Sequence, residues 1–135
     1  MARLQVVAVA ARLPAWAEQA CAEYARRMPK GYEVERVALK DERRLAATLP
    51  KNVRLIALDE RGREFTTAQF AKLLDVSNAF VIGGADGLSE GTKRDAAITL
   101  RLSAMTLPHA LAQVLLLEQL YRAATFLTGH PYHRA

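Results

Sequence analysis

Apolar positions along the chain fall into short continuous runs, separated by longer stretches with helical spacing. Leu4 to Ala10 is such a run and predicts a first strand. Pro14 to Met28 follows with helical spacing, and Pro14 suits the first helical position. Tyr32 to Leu39 alternates Val34 and Val37 with charged residues, as a second strand does. Asp41 to Leu49 predicts a short helix closed by Pro50. Val53 to Leu58, apolar apart from Arg54, predicts a strand of the buried kind. Thr66 to Val76 predicts a helix, and Ala79 to Ile82 a strand running into Gly83-Gly84-Ala85-Asp86-Gly87. Ser89 caps a helix reaching about Ala97. Ile98 to Leu102 is a last short strand, and Ala110 to Thr128 is the longest helix.

Strands alternating with helices predict an α/β fold, a parallel sheet flanked by helices on both faces. With no repeat or linker, residues 1–135 form a single domain. Ligands of such folds bind at the carboxyl ends of strands. That selects Leu58-Asp59-Glu60, the glycine loop Gly83 to Gly87, and the segment Ser103 to His109. The last helix is apolar on most sides, with a narrow polar stripe at Glu118, Arg122 and Thr125. A helix apolar nearly all round is buried nearly all round. Its surplus face meets either a second copy of the chain or, in a monomer, the rest of the core.

Charge changes the picture on one side only. Net charge is +5, yet beyond Lys72 the basic and acidic residues balance, so the excess lies in residues 1–72. A one-sided basic excess suits a polyanion such as RNA, or is simply a solvated face. The single cysteine, Cys21, forms no internal disulfide and sits in an Ala-rich helical pattern as a packing residue. The apolar N-terminal run is too short and too soon interrupted by Arg12 and Pro14 for a signal sequence. Ala110 to Leu127 carries Gln113, Glu118, Gln119 and Arg122, too polar for a membrane span. A cytoplasmic location is therefore expected.

Three places can carry chemistry. The glycine loop is neither a Walker A loop nor a GxGxxG fingerprint; it is either a turn before a helix or a place where backbone meets a ligand. Leu102-Ser103-Ala104-Met105-Thr106-Leu107-Pro108-His109 can offer backbone groups to a flat neutral ring such as adenine. His109 sits at a helix start, where the dipole disfavours imidazolium. The tail His130-Pro131-Tyr132-His133-Arg134 gathers functional groups where chain ends are usually frayed. His130 and His133 lack an acidic or thiol partner at ligand spacing, so no metal is expected.

Together these three blocks resemble the signature blocks of the RlmH (YbeA) family of SPOUT-class methyltransferases, which act on ribosomal RNA. The start, Leu4 to Ala10 through Pro14-Ala15-Trp16 and Tyr24 to Arg27, is similar too, so the likeness covers the whole chain. It implies the SPOUT (α/β-knot) fold with a C-terminal trefoil knot. It implies S-adenosyl-L-methionine as cofactor, contacted by Leu58, Gly84, Ser103, Ala104, Met105, Thr106, Leu107 and Pro108. It implies a homodimer that methylates N3 of a pseudouridine in the helix 69 stem-loop of 23S rRNA in assembled ribosomes, with neither DNA nor membrane as partner. The family's GGPEG stands here as Gly83-Gly84-Ala85-Asp86-Gly87, and the connection Lys40 to Asn52 is shorter than in many members.

Methyl transfer to a pyrimidine N3 needs positioning and help with a departing proton. His130 and His133 are candidates for that proton, Tyr132 for stacking on the base, and Arg134 for a phosphate or a uracil carbonyl. The alternative of another class is a non-catalytic basic RNA- or ribosome-binding module. A further one is an enzyme using the glycine loop for a phosphate ligand.

Overall fold

The computed structural model describes residues 2–10 and 12–133. At its centre two strands, β1 (Leu4–Val9) and β4 (Asn78–Gly83), are buried along their whole length. They lie side by side in a five-stranded sheet of order β2-β1-β4-β3-β5, every neighbouring pair parallel. Continuous apolar sequence is what a strand covered on both faces requires. The edge strand β2 (Val34–Leu39) keeps the alternation of half-buried and exposed positions that its sequence predicts.

Strand alternation divides the core in two. Leu4, Val6, Ala8, Ile56 and Phe80 pack against Cys21 of α1 (Ala15–Arg27), Phe70 of α3 (Thr67–Ala71), and Leu116, Leu117 and Leu120 of α5 (His109–Thr128). Val7, Val9, Ala57, Ala79 and Val81 face the other way, onto Leu45 of α2 (Leu45–Thr48) and Leu88, just before α4 (Glu90–Asp95). The expected layers are therefore present. Burial pushes the Cys21 thiol above its ordinary pKa, which agrees with a packing residue.

Four elements differ from the sequence expectation. Pro14 stands one position outside α1, as its N-cap. The helix expected over Asp41 to Leu49 is a 3-10 turn, Glu42–Arg44, leading into α2, because Asp41 accepts the Arg43 N–H and tightens the start. The helix expected over Thr66 to Val76 holds only through α3, with its Thr66–Gln69 capping box, and then narrows to a 3-10 turn, Lys72–Asp75. There the buried Asn78 donates to the carbonyls of Leu73 and Val76, at 2.6 and 3.0 Å.

The fourth difference bears on function. Leu58-Asp59-Glu60 is not a loop after a strand: β3 runs from Arg54 to Glu64. Both Leu58 and Arg63 pair with Leu100 of β5 (Ile98–Arg101), so the residues between them bulge out of the ladder. Gly62 allows this, since a Cβ there would stand 2.7 Å from the Leu100 carbonyl carbon.

Helix α5 is buried through Leu116, Leu117, Leu120, Ala123 and Ala124, but not all round: Leu111 and Leu115 are half-buried, and Phe126 and Leu127 are exposed. No helix among the described residues is long and apolar enough to cross a membrane.

Candidate active site

The carboxyl ends of β4 and β5 and the bulge of β3 surround a cavity of about 680 Å³. That volume is within the range of small-molecule sites. Its floor is apolar, made by Leu58, Ile82, Leu100, Leu102 and Ala112. Of the residues implicated by resemblance, Leu58, Gly84, Ser103, Met105, Thr106, Leu107 and Pro108 line it. Ala104 is exposed and is not part of the lining. The Ser103 hydroxyl accepts the Met105 N–H at 2.9 Å and so shapes its own loop. Met105 is 78% exposed at the mouth, and His109 lines the cavity from the first turn of α5.

The glycine loop has a packing reason for its composition. A Cβ on Gly84 would collide with the Ala10 carbonyl oxygen, and one on Gly83 would stand 2.6 Å from the Gly87 carbonyl carbon. Gly87 donates to the Gly84 carbonyl at 3.0 Å and has φ +72°, a region that favours glycine. Both readings of the loop therefore meet here, a tight turn that also walls a cavity.

Charged groups at the cavity were only partly legible. Asp59 and Glu60 stood out as loop acids, but Lys93 did not stand out at all. The structure places the Lys93 ammonium 3.6 Å from Asp59 and 3.1 Å from Glu90. The hydrogen bond that Lys93 donates to Glu90 leads the interactions that raise the Lys93 pKa. Asp59, Glu60, Asp86 and Glu90 oppose Arg61 and Lys93 in the lining, with His109 as the one histidine. An apolar floor under an acid-rich wall fits a flat ring attached to a cationic centre, as in S-adenosylmethionine. It does not fit a phosphate ligand, which such a wall repels.

The tail lies elsewhere. After Gly129 ends α5 in the left-handed conformation, the His130 N–H donates to the Thr125 carbonyl at 2.9 Å. The Tyr132 N–H donates to His130 Nδ1 at 3.2 Å, and His133 Nδ1 lies against the His130 carbonyl. The Tyr132 hydroxyl donates to Glu118 at 2.9 Å, and its ring packs on Tyr121 at 4.5 Å with the Arg122 guanidinium over it at 5.0 Å. Glu118 is also paired with Arg122, at 2.8 Å. Burial first, then hydrogen bonding to Tyr24 and Glu118, raises the Tyr132 pKa, so the phenol stays neutral and acts as a donor. His130 is exposed, and His133 meets the Phe126 ring edge-on at 5.5 Å. Arg134 lies outside the described residues.

The structure does not bring the tail to the cavity of its own chain. None of His130, Tyr132 and His133 lines it. The 20 residues of α5 lie between them, about 30 Å of helix at 1.5 Å per residue. By family resemblance the tail is expected to complete a site across a dimer interface; sequence reasoning missed the Glu118–Arg122–Tyr132 anchor, whose only signal was a polar stripe on an otherwise apolar helix. Among the described residues no group of three His, Cys, Asp or Glu side chains could hold a metal ion.

The fold built on this parallel sheet is shared with solved proteins described as methyltransferases. A probable methyltransferase from Bordetella pertussis Tohama I superposes with TM-score 0.62 at 15% identity, over 91% of this chain and 95% of that one. The SpoU methyltransferase AviRb from Streptomyces viridochromogenes, solved with its cofactor AdoMet, superposes with TM-score 0.55 at 18% identity, over 89% of this chain and 57% of that one. At such identities the likeness is one of fold. The family model described as "Predicted SPOUT methyltransferase" matches residues 2–133. The Ribosomal RNA large subunit methyltransferase H of Burkholderia mallei (strain SAVP1) is 44% identical over 155 aligned positions, covering 98% of this chain and 99% of the relative. The chain therefore belongs to the SPOUT methyltransferases, within the RlmH family.

Proposed function

We propose that this protein transfers a methyl group from S-adenosylmethionine to ribosomal RNA of the large subunit, at N3 of a pseudouridine in the helix 69 stem-loop of assembled cytoplasmic ribosomes. The substrate class follows the named relative, and the cofactor follows the fit of the cavity and the AdoMet-bound fold neighbour. We propose also that the protein works as a homodimer whose tail from one copy serves the cavity of the other. The observation that carries this is the length of α5, which keeps each tail at the far end of the helix from its own cavity. Exposed Phe126 and Leu127 beside the tail supply apolar surface for the second copy. The C-terminal trefoil knot belongs to the same reading. It is supported by the close backbone passages that Gly62, Gly83 and Gly84 permit.

S-adenosylmethionine, when bound, supplies a methyl group on a sulfonium centre. Leu58, Gly84, Ser103 and the segment Met105 to Pro108 line the cavity and would hold and orient it. On transfer the acceptor nitrogen would gain the methyl carbon and lose its proton, the electron pair of the C–S bond remaining on sulfur, so the chain's own task is to position the acceptor and receive that proton. His130 and His133 of the partner are the imidazoles proposed to take that proton. Tyr132, neutral and engaged by Glu118, Tyr121 and Arg122, anchors the tail and is not its base. Arg134 is assigned to a phosphate or a uracil carbonyl by resemblance alone.

The test pairs a calorimetric titration with incorporation of labelled methyl into ribosomes lacking the modification. Binding of S-adenosylmethionine together with labelling of 23S rRNA is the expected result. Ribosome binding without cofactor binding would favour the non-catalytic module instead.

A further inference from the structure

Glu42, in the 3-10 turn after β2, reaches across to the start of α4, 47 residues on. Its two carboxylate oxygens accept the Ser89 N–H at 3.1 and 3.0 Å. One of them also accepts the Ser89 hydroxyl at 2.6 Å and the Thr92 hydroxyl. Ser89 in turn caps α4 by accepting the Thr92 N–H at 3.2 Å. Burial of Glu42 works against ionisation, yet the donors from Ser89 and Thr92 leave its pKa below the ordinary carboxylate value. The latch is thus ionised at neutral pH.

Ser89 ends the glycine loop. Gly84 to Gly87 separate the larger cavity from a smaller one of about 240 Å³, whose other walls are Val9, Ala10 and Lys40 to Glu42. Beyond the contact of Gly84 with Ala10 and the Gly87–Gly84 hydrogen bond, a segment with a cavity on each side depends on its anchored ends to keep its shape. One end is the buried Gly83 of β4 and the other is Ser89. Glu42 itself does not line the larger cavity.

We infer that Glu42 is a positioning residue for the cofactor pocket, holding Ser89 and Thr92 so that Gly84 to Gly87 keep their ligand-binding shape. This rests on the reading of the larger cavity as the S-adenosylmethionine site. It gives the short β2–β3 connection a role in cofactor binding that no residue of the pocket itself reveals.

Full-length Glu42→Ala and Glu42→Gln test it. The measurements are calorimetric titration with S-adenosylmethionine, hydrogen exchange of the ligand-free protein, and thermal unfolding. For Glu42→Ala the cofactor Kd rises roughly tenfold, as expected from losing several hydrogen bonds to a carboxylate. The amides of Gly87 and Ser89 exchange faster in the ligand-free variant, and Glu42→Gln, which keeps one acceptor oxygen, recovers part of both effects. A purely structural role would lower the unfolding temperature of both variants yet leave the cofactor Kd within twofold of wild type, and that result overturns the inference. If Glu42→Ala does not fold, the Kd and loop exchange of Glu42→Gln decide in the same way. If the wild type itself fails to bind S-adenosylmethionine, the reading of the cavity falls. Exchange at Gly87 and Ser89 still judges the latch, and unchanged exchange overturns it.

Discussion

The two ends of α5 are built on opposite principles. At its first turn the cavity is walled by strand ends, tight glycines and a loop that hydrogen-bonds to itself, and its polar lining is rich in acid. At its last turn the tail offers imidazoles and a phenol, held by aromatic packing and one carboxylate. The first end suits holding a ligand in one pose, because its shape is set by backbone. The second suits handling a proton and a base, because its groups are side chains rather than backbone. The helix keeps the two apart within one chain.

Complementation between two defective copies is the sharpest way to break this comparison. Ala112→Trp fills the cavity floor, and truncation before Tyr132 removes the end of the tail. Each homodimer should lose methyl transfer by about a hundredfold or more, since positioning and proton handling are lost. Mixed after unfolding and refolding together, the two should regain roughly a quarter of wild-type activity, because random pairing in a two-fold dimer restores one complete site per mixed dimer. No recovery, with mixed dimers shown by mass spectrometry, would place tail and cavity in the same chain.

Stability separates the ends next. Gly84→Ala should cost about 1–3 kcal/mol by urea unfolding, as overpacking against backbone does, because its Cβ meets the Ala10 carbonyl. Cofactor affinity should fall with it. Tyr132→Phe should cost only about 1 kcal/mol, one hydrogen bond at a partly exposed carboxylate, with cofactor affinity unchanged and methyl transfer reduced several-fold. Equal loss of cofactor affinity in both variants would erase the distinction. The smallest effect concerns Cys21. Burial raises its thiol pKa, so the thiolate fraction at pH 8 is below that of an ordinary thiol. Native protein should resist iodoacetamide there, as read by mass spectrometry, and react only on unfolding.

Much of this was legible in the sequence because period and punctuation are local. Leu4 to Val9 and Val53 to Leu58 announced buried strands by runs that are apolar apart from Gln5 and Arg54, and Ser89 announced a cap that it does form. The three segments that line the cavity were also legible, since strand ends and glycines mark them. What escaped depends on contacts between distant segments. Asp59 to Gly62 look like a polar loop, and only the pairing of β3 with β5 on both sides turns them into a bulge. Glu42 and Ser89 carry no mark of each other across the intervening residues. Tyr132 looked free to stack on a base, because nothing in a terminal pentapeptide shows that Glu118 and Tyr121 wait for it one helix back.

The span of α5 also sets how the lineage can vary. Its Burkholderia relative aligns over 155 positions against the 135 residues here, so length has changed during descent. A surface connection absorbs such changes with little consequence. Inside α5 a single inserted residue would swing everything beyond it by about 100° and push it outward by about 1.5 Å. The Tyr132 anchor would leave Glu118, and the tail would emerge on another side of the molecule. The helix is thus a ruler and a protractor together, and insertions or deletions between Pro108 and Gly129 should be purged while those in the outer connections drift.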